Sequence, residues 1–184
     1  TQIAKTLEGP GVEITNVQYT GDSSAVGTFT NGGGILVDAF ESGIVLSSGR
    51  VVDAVGPNDS DNTTTSFNSP GDPDLDEVIH DPNDPFAITF DAAALEFDVI
   101  PTQRQVQFKY VFASEEYNEF ANSRYNNVFG FFIRRFASEE KVNCAVLPDG
   151  TPASINNING GSTGSPNDPE AHHPQFFRNN HLTS

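Results

Sequence analysis

Gln105-Val106-Gln107-Phe108-Lys109-Tyr110-Val111-Phe112 places Val106, Phe108, Tyr110 and Phe112 on one face of an extended chain, opposite Gln105, Gln107 and Lys109. Sixteen residues later, Val128-Phe129-Gly130-Phe131-Phe132-Ile133 is apolar at every position except glycine, then ends at Arg134-Arg135. The first run predicts a strand with one buried face. The second predicts a central strand covered on both sides. Working outward, Ala94 to Ile100 alternates until Pro101, Gly43-Ile44-Val45-Leu46-Ser47 is a short apolar run, and Val142 to Leu147 runs into the turn Pro148-Asp149-Gly150. Val12 and Ile14, then Val17 and Tyr19, face polar neighbours ahead of Gly21-Asp22. Helical signal is confined to Asp74–Ile79, with Asp74 as a cap, and Ser114–Phe120, with Ser114 or Glu115 near its start. The expected fold is all-β: a mainly antiparallel β-sandwich with long acidic loops and one or two short helical turns.

The chain has 184 residues and carries 25 acidic against 9 basic side chains, a net charge of -16. That size suits one domain spanning residues 1–184. A phosphate backbone would be repelled over most of the surface, which argues against a nucleic-acid partner. No apolar run approaches the roughly 20 residues that a membrane-crossing helix needs, so no transmembrane segment is expected. Cys144 is the only cysteine and lies in an apolar run, where it reads as a small buried hydrophobe. The acidity is regional: 12 Asp and Glu, and no Lys or Arg, lie between Arg50 and Arg104. Sequons begin at Asn58 and Asn62, within a loop whose composition makes chance matches common.

Asp72-Pro73-Asp74-Leu75-Asp76 sets three carboxylates at alternate positions, with Asp59 and Asp61 upstream and Asp81, Asp84 and Asp91 downstream. Hard oxygen ligands at this density, without cationic neighbours, suit Ca2+. The spacing is not an EF-hand, because position six is Glu77 and position twelve is Asn83. A second cluster, Glu115, Glu116 and Glu119 followed by Asn126 and Asn127, falls between two expected strands. The expected metal ligands are Asp72, Asp74, Asp76, Asp91, Glu115, Glu116 and Glu119, with Asn126 and Asn127 as further ligand contacts.

Catalytic readings fare worse. Adjacent Glu115 and Glu116 diverge on extended backbone, whereas a glycosidase pair must face each other across a sugar. His172-His173 with His181 lacks a zinc-protease signature and reads as a solvated tail, and Gly32-Gly33-Gly34 lacks the context of a phosphate loop. No G-x-S-x-G occurs. A glycan or peptide hydrolase is therefore the weakest of the readings, and the chain is not expected to be an enzyme.

A series of segments resembles the choice-of-anchor L domain: Gly27-Thr28-Phe29-Thr30, Gly43 to Gly49, Gly56-Pro57-Asn58, Gly71 to Asp76 and Asp91 to Asp98. The strongest is Tyr110-Val111-Phe112-Ala113-Ser114-Glu115-Glu116-Tyr117 leading to Tyr125-Asn126-Asn127-Val128-Phe129-Gly130-Phe131-Phe132. The resemblance runs from about Gly11 to about Asn180. It implies a secreted or cell-surface β-rich module of a larger protein, without catalytic activity. Where Asn127 stands, members usually carry Asp, and further strands would be expected beyond Asn179-Asn180. The expected function is accordingly a calcium-stabilised adhesion or surface-recognition module with a peptide or glycan ligand. The alternative is a structural subunit that assembles with copies of itself into a filament or matrix by strand complementation.

Overall fold

The computed structural model describes residues 2–32, 41–55, 63, 65–80, 82, 84, 86–138 and 140–179. Asp59, Asp61, Asp81, His181, the sequons at Asn58 and Asn62, Gly56-Pro57-Asn58 and most of the triple glycine lie outside them. The fold is β-rich, with three antiparallel two-stranded ladders and only short helices among the described residues. The chain forms two compact units.

The first unit comprises residues 1–59, 63–72 and 89–111. In it β1 (Val12–Thr20) pairs with β4 (Ala94–Pro101), and β2 (Val26–Thr30) pairs with β3 (Ser42–Leu46). A 3-10 helix at Gln2–Leu7 precedes them, and the unit's buried apolar residues, among those described, are Ala4 in that helix, Ile14 in β1 and Ala25 just ahead of β2. The β1 register explains a change of phase visible in the sequence. Thr15 lies opposite Asp98 and Gln18 opposite Glu96, so β1 holds one extra residue, a bulge. Asn16 takes it up with a left-handed φ of 51°, and its amide donates to Asp98 Oδ2 at 2.6 Å. Past the bulge the inward positions shift from Val12 and Ile14 to Val17 and Tyr19.

The second unit comprises residues 60–62, 73–88 and 112–184. α1 (Pro73–Val78) begins at a proline, which suits a position whose N–H has no partner in the helix. β5 (Phe132–Arg134) pairs with β6 (Lys141–Asn143). Its buried residues, among those described, are Asn118, Ala145, Ala153, Ser154, Ile155, Asn159 and neighbouring glycines, so the centre is largely polar loop.

Several expectations need correction. Residues 105–113 carry no strand, although Val106, Phe108 and Phe112 are more sheltered than their polar neighbours. Alternation records which side chains turn inward, but a strand also needs a neighbour in register. The 128–133 run is half-buried; it holds one bridge, Val128 to Ser154, before β5 starts at Phe132, and Ile133 is exposed. Cys144 is exposed, because Val142 and Cys144 alternate outward around the half-buried Asn143. Of the histidines expected in a solvated tail, His172 is exposed, but His173 is half-buried and bonded. His173 presents Nδ1 to the Asn157 carbonyl at 2.7 Å and Nε2 to Asp149 Oδ2 at 3.0 Å. Both partners are acceptors, so only the doubly protonated ring satisfies both. The carbonyl of Asn157 and then Asp149 hold the imidazole pKa above its ordinary value, outweighing burial.

Two outcomes follow. In thermal unfolding, Asn16→Val should cost about 2 kcal/mol, since a β-branched residue resists left-handed backbone, while Asn16→Gly should stay within about 1 kcal/mol of the parent. A raised histidine pKa adds stability that is complete below the unfolded value and lost as pH rises through the folded value. The midpoint should therefore fall from the ordinary histidine range upward, and His173→Gln should flatten that slope; an unchanged slope would remove His173 from its cause.

Candidate functional site

The nine residues picked out from sequence fall into different surroundings. In the first unit, Asp91 is buried with a left-handed φ of 53°. Its Oδ1 accepts from the backbone N–H and hydroxyl of Ser69, at 2.7 and 2.9 Å. Its Oδ2 accepts from the N–H of Phe67 and the hydroxyl of Ser66, at 3.0 and 3.2 Å. Burial pushes the Asp91 pKa up, but the bonds from Ser69, Phe67 and Ser66 together hold it below the usual carboxylate value. Four donors occupy about all the acceptor positions a carboxylate has, which makes Asp91 a clamp on the 66–69 loop. Asp72, in the same unit, donates its N–H to Thr89 Oγ1 at 2.9 Å.

In the second unit, Asp74 and Asp76 lie in the first turn of α1, where carboxylates suit the positive end of the helix. Asp74 forms an ion pair with Lys141. Residues 115–120 make the expected turn: Ser114 Oγ accepts from the Glu116 N–H at 3.1 Å, and Phe120 N–H donates to the Glu116 carbonyl at 3.1 Å. Tyr117 packs on Phe177 with ring centroids 4.8 Å apart, and Phe120 meets Tyr125 edge-on at 5.4 Å. Glu119 is exposed, whereas Glu115 and Glu116 are half-buried.

The 114–127 segment is stitched to residues 151–161 of the same unit. Tyr117 donates its hydroxyl to the Ile158 carbonyl. Asn156 donates its N–H to Asn126 Oδ1 at 3.0 Å and its amide to the Ser123 carbonyl at 2.7 Å. The Asn127 carbonyl accepts from Ile155 N–H at 3.0 Å. Asn126 and Asn127 thus hold this seam. Asn159, fully buried, donates its amide to Asn122 Oδ1 and to the carbonyls of Ile155 and Asn156, and accepts from the N–H groups of Gly161 and His172.

Three oxygens along this seam are shielded from solvent yet have no hydrogen-bond partner among the described residues: Glu116 Oε2, Asn118 Oδ1 and Asn156 Oδ1. The Asn156 amide is oriented by its bond to Ser123, so the unpartnered atom there is the oxygen. Asn118 is nine-tenths buried and packs against Gly164, whose φ is +63°. A Cβ on that glycine would stand 2.5 Å from the Asn118 amide. Burial raises the Glu116 pKa and, more strongly, that of Tyr117.

Sequence reasoning found Glu116 but passed over Asn118 and Asn156. The available signal was the run Ser154-Ile155-Asn156-Asn157-Ile158-Asn159-Gly160, where apolar residues alternate with carboxamides too often for a free loop. Among the described residues, no group of three or more His, Cys, Asp or Glu is placed to hold a metal ion. Other features offer less: a small apolar cleft in the first unit is lined by Ile3, Tyr19, Val26 and Leu95.

No curated protein and no solved structure matches the chain. No helix among the described residues is long and apolar enough to cross a membrane. The sequence profile of the choice-of-anchor L domain, however, matches residues 2–184, through both units and the whole 114–161 seam. The chain belongs to the choice-of-anchor L domain family, and is a module of a secreted or cell-surface protein.

Proposed function

We propose that this chain is a non-catalytic adhesion or surface-recognition module, stabilised by Ca2+, within a larger cell-surface protein. Family membership supports the surface location and the non-catalytic character. The observation that carries recognition is the outer face of the β5–β6 ladder. There Ile133 and Val142, paired in register, are both about half exposed, and Phe136 in the connecting turn is wholly exposed. Large apolar side chains held in water on a paired ladder suit a peptide or the apolar face of a sugar ring. We read residues 1–184 as one module of antiparallel sandwich type; antiparallel pairing in all three ladders and one family match across the chain support this.

Calcium follows from the charge. A surplus of 16 negative charges has few protein cations to balance it, and divalent ions in the extracellular fluid are the natural counter-charge. A second reading, a subunit assembling with copies of itself, is favoured by the ladders: each has only two strands among the described residues, and two-stranded sheets readily accept a further strand.

Thermal unfolding in EDTA, then in millimolar Ca2+ with Mg2+ as control, tests the cation. An ion present at 100 times its dissociation constant adds about 2.7 kcal/mol per site, which should raise the midpoint by roughly 5 to 10 °C for a chain of this size. No calcium-specific rise would reduce the acidic segments to solvated loops. Binding to peptide and glycan panels in calcium should weaken when Ile133 and Val142 are both replaced by Ser, and a panel without binders counts against recognition. Electron microscopy separates the second reading: filaments would favour it, and uniformly monomeric particles with and without calcium would dismiss it.

A further inference from the structure

We propose that His173 is a proton-operated latch that fastens the segment 171–177 to the turn Pro148-Asp149-Gly150, closed while the imidazole carries both protons and released when it loses one. Thermal unfolding responds to the same titration across the whole chain; the latch is a local equilibrium inside the folded second unit.

Two contacts define the closed state. Nδ1 stands 2.7 Å from the Asn157 carbonyl and Nε2 stands 3.0 Å from Asp149 Oδ2. Bonds from Thr151 first, and from His173 after them, hold the Asp149 pKa below its ordinary value, so both partners are oxygens without a hydrogen to give. A ring with one proton donates to one of them and turns a lone pair on the other. The shorter contact keeps the proton on Nδ1, which leaves Nε2 against the Asp149 carboxylate, acceptor facing acceptor. Asp149 stays attached on its own side, because Oδ1 accepts from the Thr151 N–H at 3.0 Å, and it departs with its turn. His173 also sits in left-handed backbone, with φ 44° and ψ 46°, which a residue other than glycine adopts at a cost. Two ring bonds offset that cost and one offsets less, so the segment is poised between docked and lifted.

Few charges surround the ring. Asp149 is the charged residue of the 148–151 turn, the 154–159 segment that supplies the Asn157 carbonyl has no titratable side chain, and Glu170, His172 and Arg178 beside His173 in the chain are exposed. The Asn157 carbonyl and then Asp149 thus set where the ring gives up its proton, above the ordinary histidine value. The fastened segment reaches the rest of the unit at two further points. Asn159 N–H donates to the His172 carbonyl at 2.8 Å while His172 N–H donates to Asn159 Oδ1 at 3.2 Å, and Phe177 covers Tyr117 with ring centroids 4.8 Å apart. Lifting the segment uncovers the Tyr117 ring, so the module presents a different apolar surface in acid and in alkaline surroundings.

Amide hydrogen exchange of the full chain at pH 6 and at pH 9 tests the latch, read as protection factors so that the intrinsic pH dependence of exchange cancels. The amides of His172 and Asn159 report on docking, and those of the β1–β4 ladder serve as the reference. In the parent, protection at His172 and Asn159 should fall by about tenfold or more between the two pH values, the weight of one charge-assisted bond, while the ladder keeps its protection. Asp149→Asn is the decisive variant. Its carboxamide N–H donates to the bare Nε2 while Nδ1–H keeps Asn157, so a neutral ring closes the latch and protection should stay within about twofold. Asp149→Ala should show low protection at both pH values. Reporters that lose no more protection than the ladder in the parent, or the parent's pH response retained in either variant, would overturn the latch.

Discussion

The second unit is organised around one side chain, the carboxamide of Asn159. A primary amide offers two donor hydrogens and a carbonyl oxygen with two lone pairs, and here that capacity is spent on Asn122, Ile155, Asn156, Gly161 and His172. The bonds reach Asn122 and His172 as well as the chain on either side of Asn159, so a single residue ties three stretches of the chain together. A small β-rich unit ordinarily gains that precision from apolar packing. In this one the buried apolar residues are few and small, Ala145, Ala153 and Ile155, and polar satisfaction takes a larger share. Such a network has a stringent condition: every buried donor and acceptor must be matched. Among the described residues, the oxygens of Glu116, Asn118 and Asn156 and the amide nitrogen of Asn143 are buried atoms without a hydrogen-bond partner.

The first unit uses a related device with charge in place of an amide. Asp91 sits in left-handed backbone and gathers two N–H groups and two hydroxyls from residues 66–69, while its own N–H returns to the Ser69 carbonyl. An isolated buried carboxylate is costly, but one that accepts four hydrogen bonds is a stable anchor. In a chain so rich in Asp, a carboxylate thus has two distinct uses. Some fix loops through their neighbours' donors, as Asp91 does for 66–69 and Asp168 does for Thr163 and Glu170. Others stay near the surface and contribute to the field around the molecule.

Local patterns in the sequence were legible where the structure is locally determined. The alternation of β4 and the short apolar run of β3 follow from residue order alone, and so does the helical turn expected at Asp74–Ile79, although it starts at Pro73, which puts Asp74 inside the first turn and not at the cap. Even the bulge was written in the shift from Val12 and Ile14 to Val17 and Tyr19, because one extra residue reverses which side faces inward. What the sequence concealed depends on distant partners. Val106 to Phe112 alternates as a strand should, yet its backbone is not laddered, since pairing is decided by a neighbour that periodicity does not name. Glu116 was visible as a carboxylate in a cluster. Asn118 and Asn156 were not, because an asparagine in a polar loop looks the same whether it faces water or the interior.

Asn159 is followed by Gly160, the dipeptide most prone to spontaneous deamidation, in which the glycine nitrogen attacks the asparagine carboxamide and a ring closes. Conversion to Asp or isoaspartate here would replace a donor of three hydrogen bonds by a group that donates none, at a position with no exposure to water. The fold itself restrains the reaction. A carboxamide held on both its nitrogen and its oxygen cannot rotate towards the next peptide, and Gly160, packed against Gly164, has little room to bring its nitrogen into line. Outside the cell no synthesis replaces a damaged module in place, so the bonds that organise this unit also set how slowly it ages.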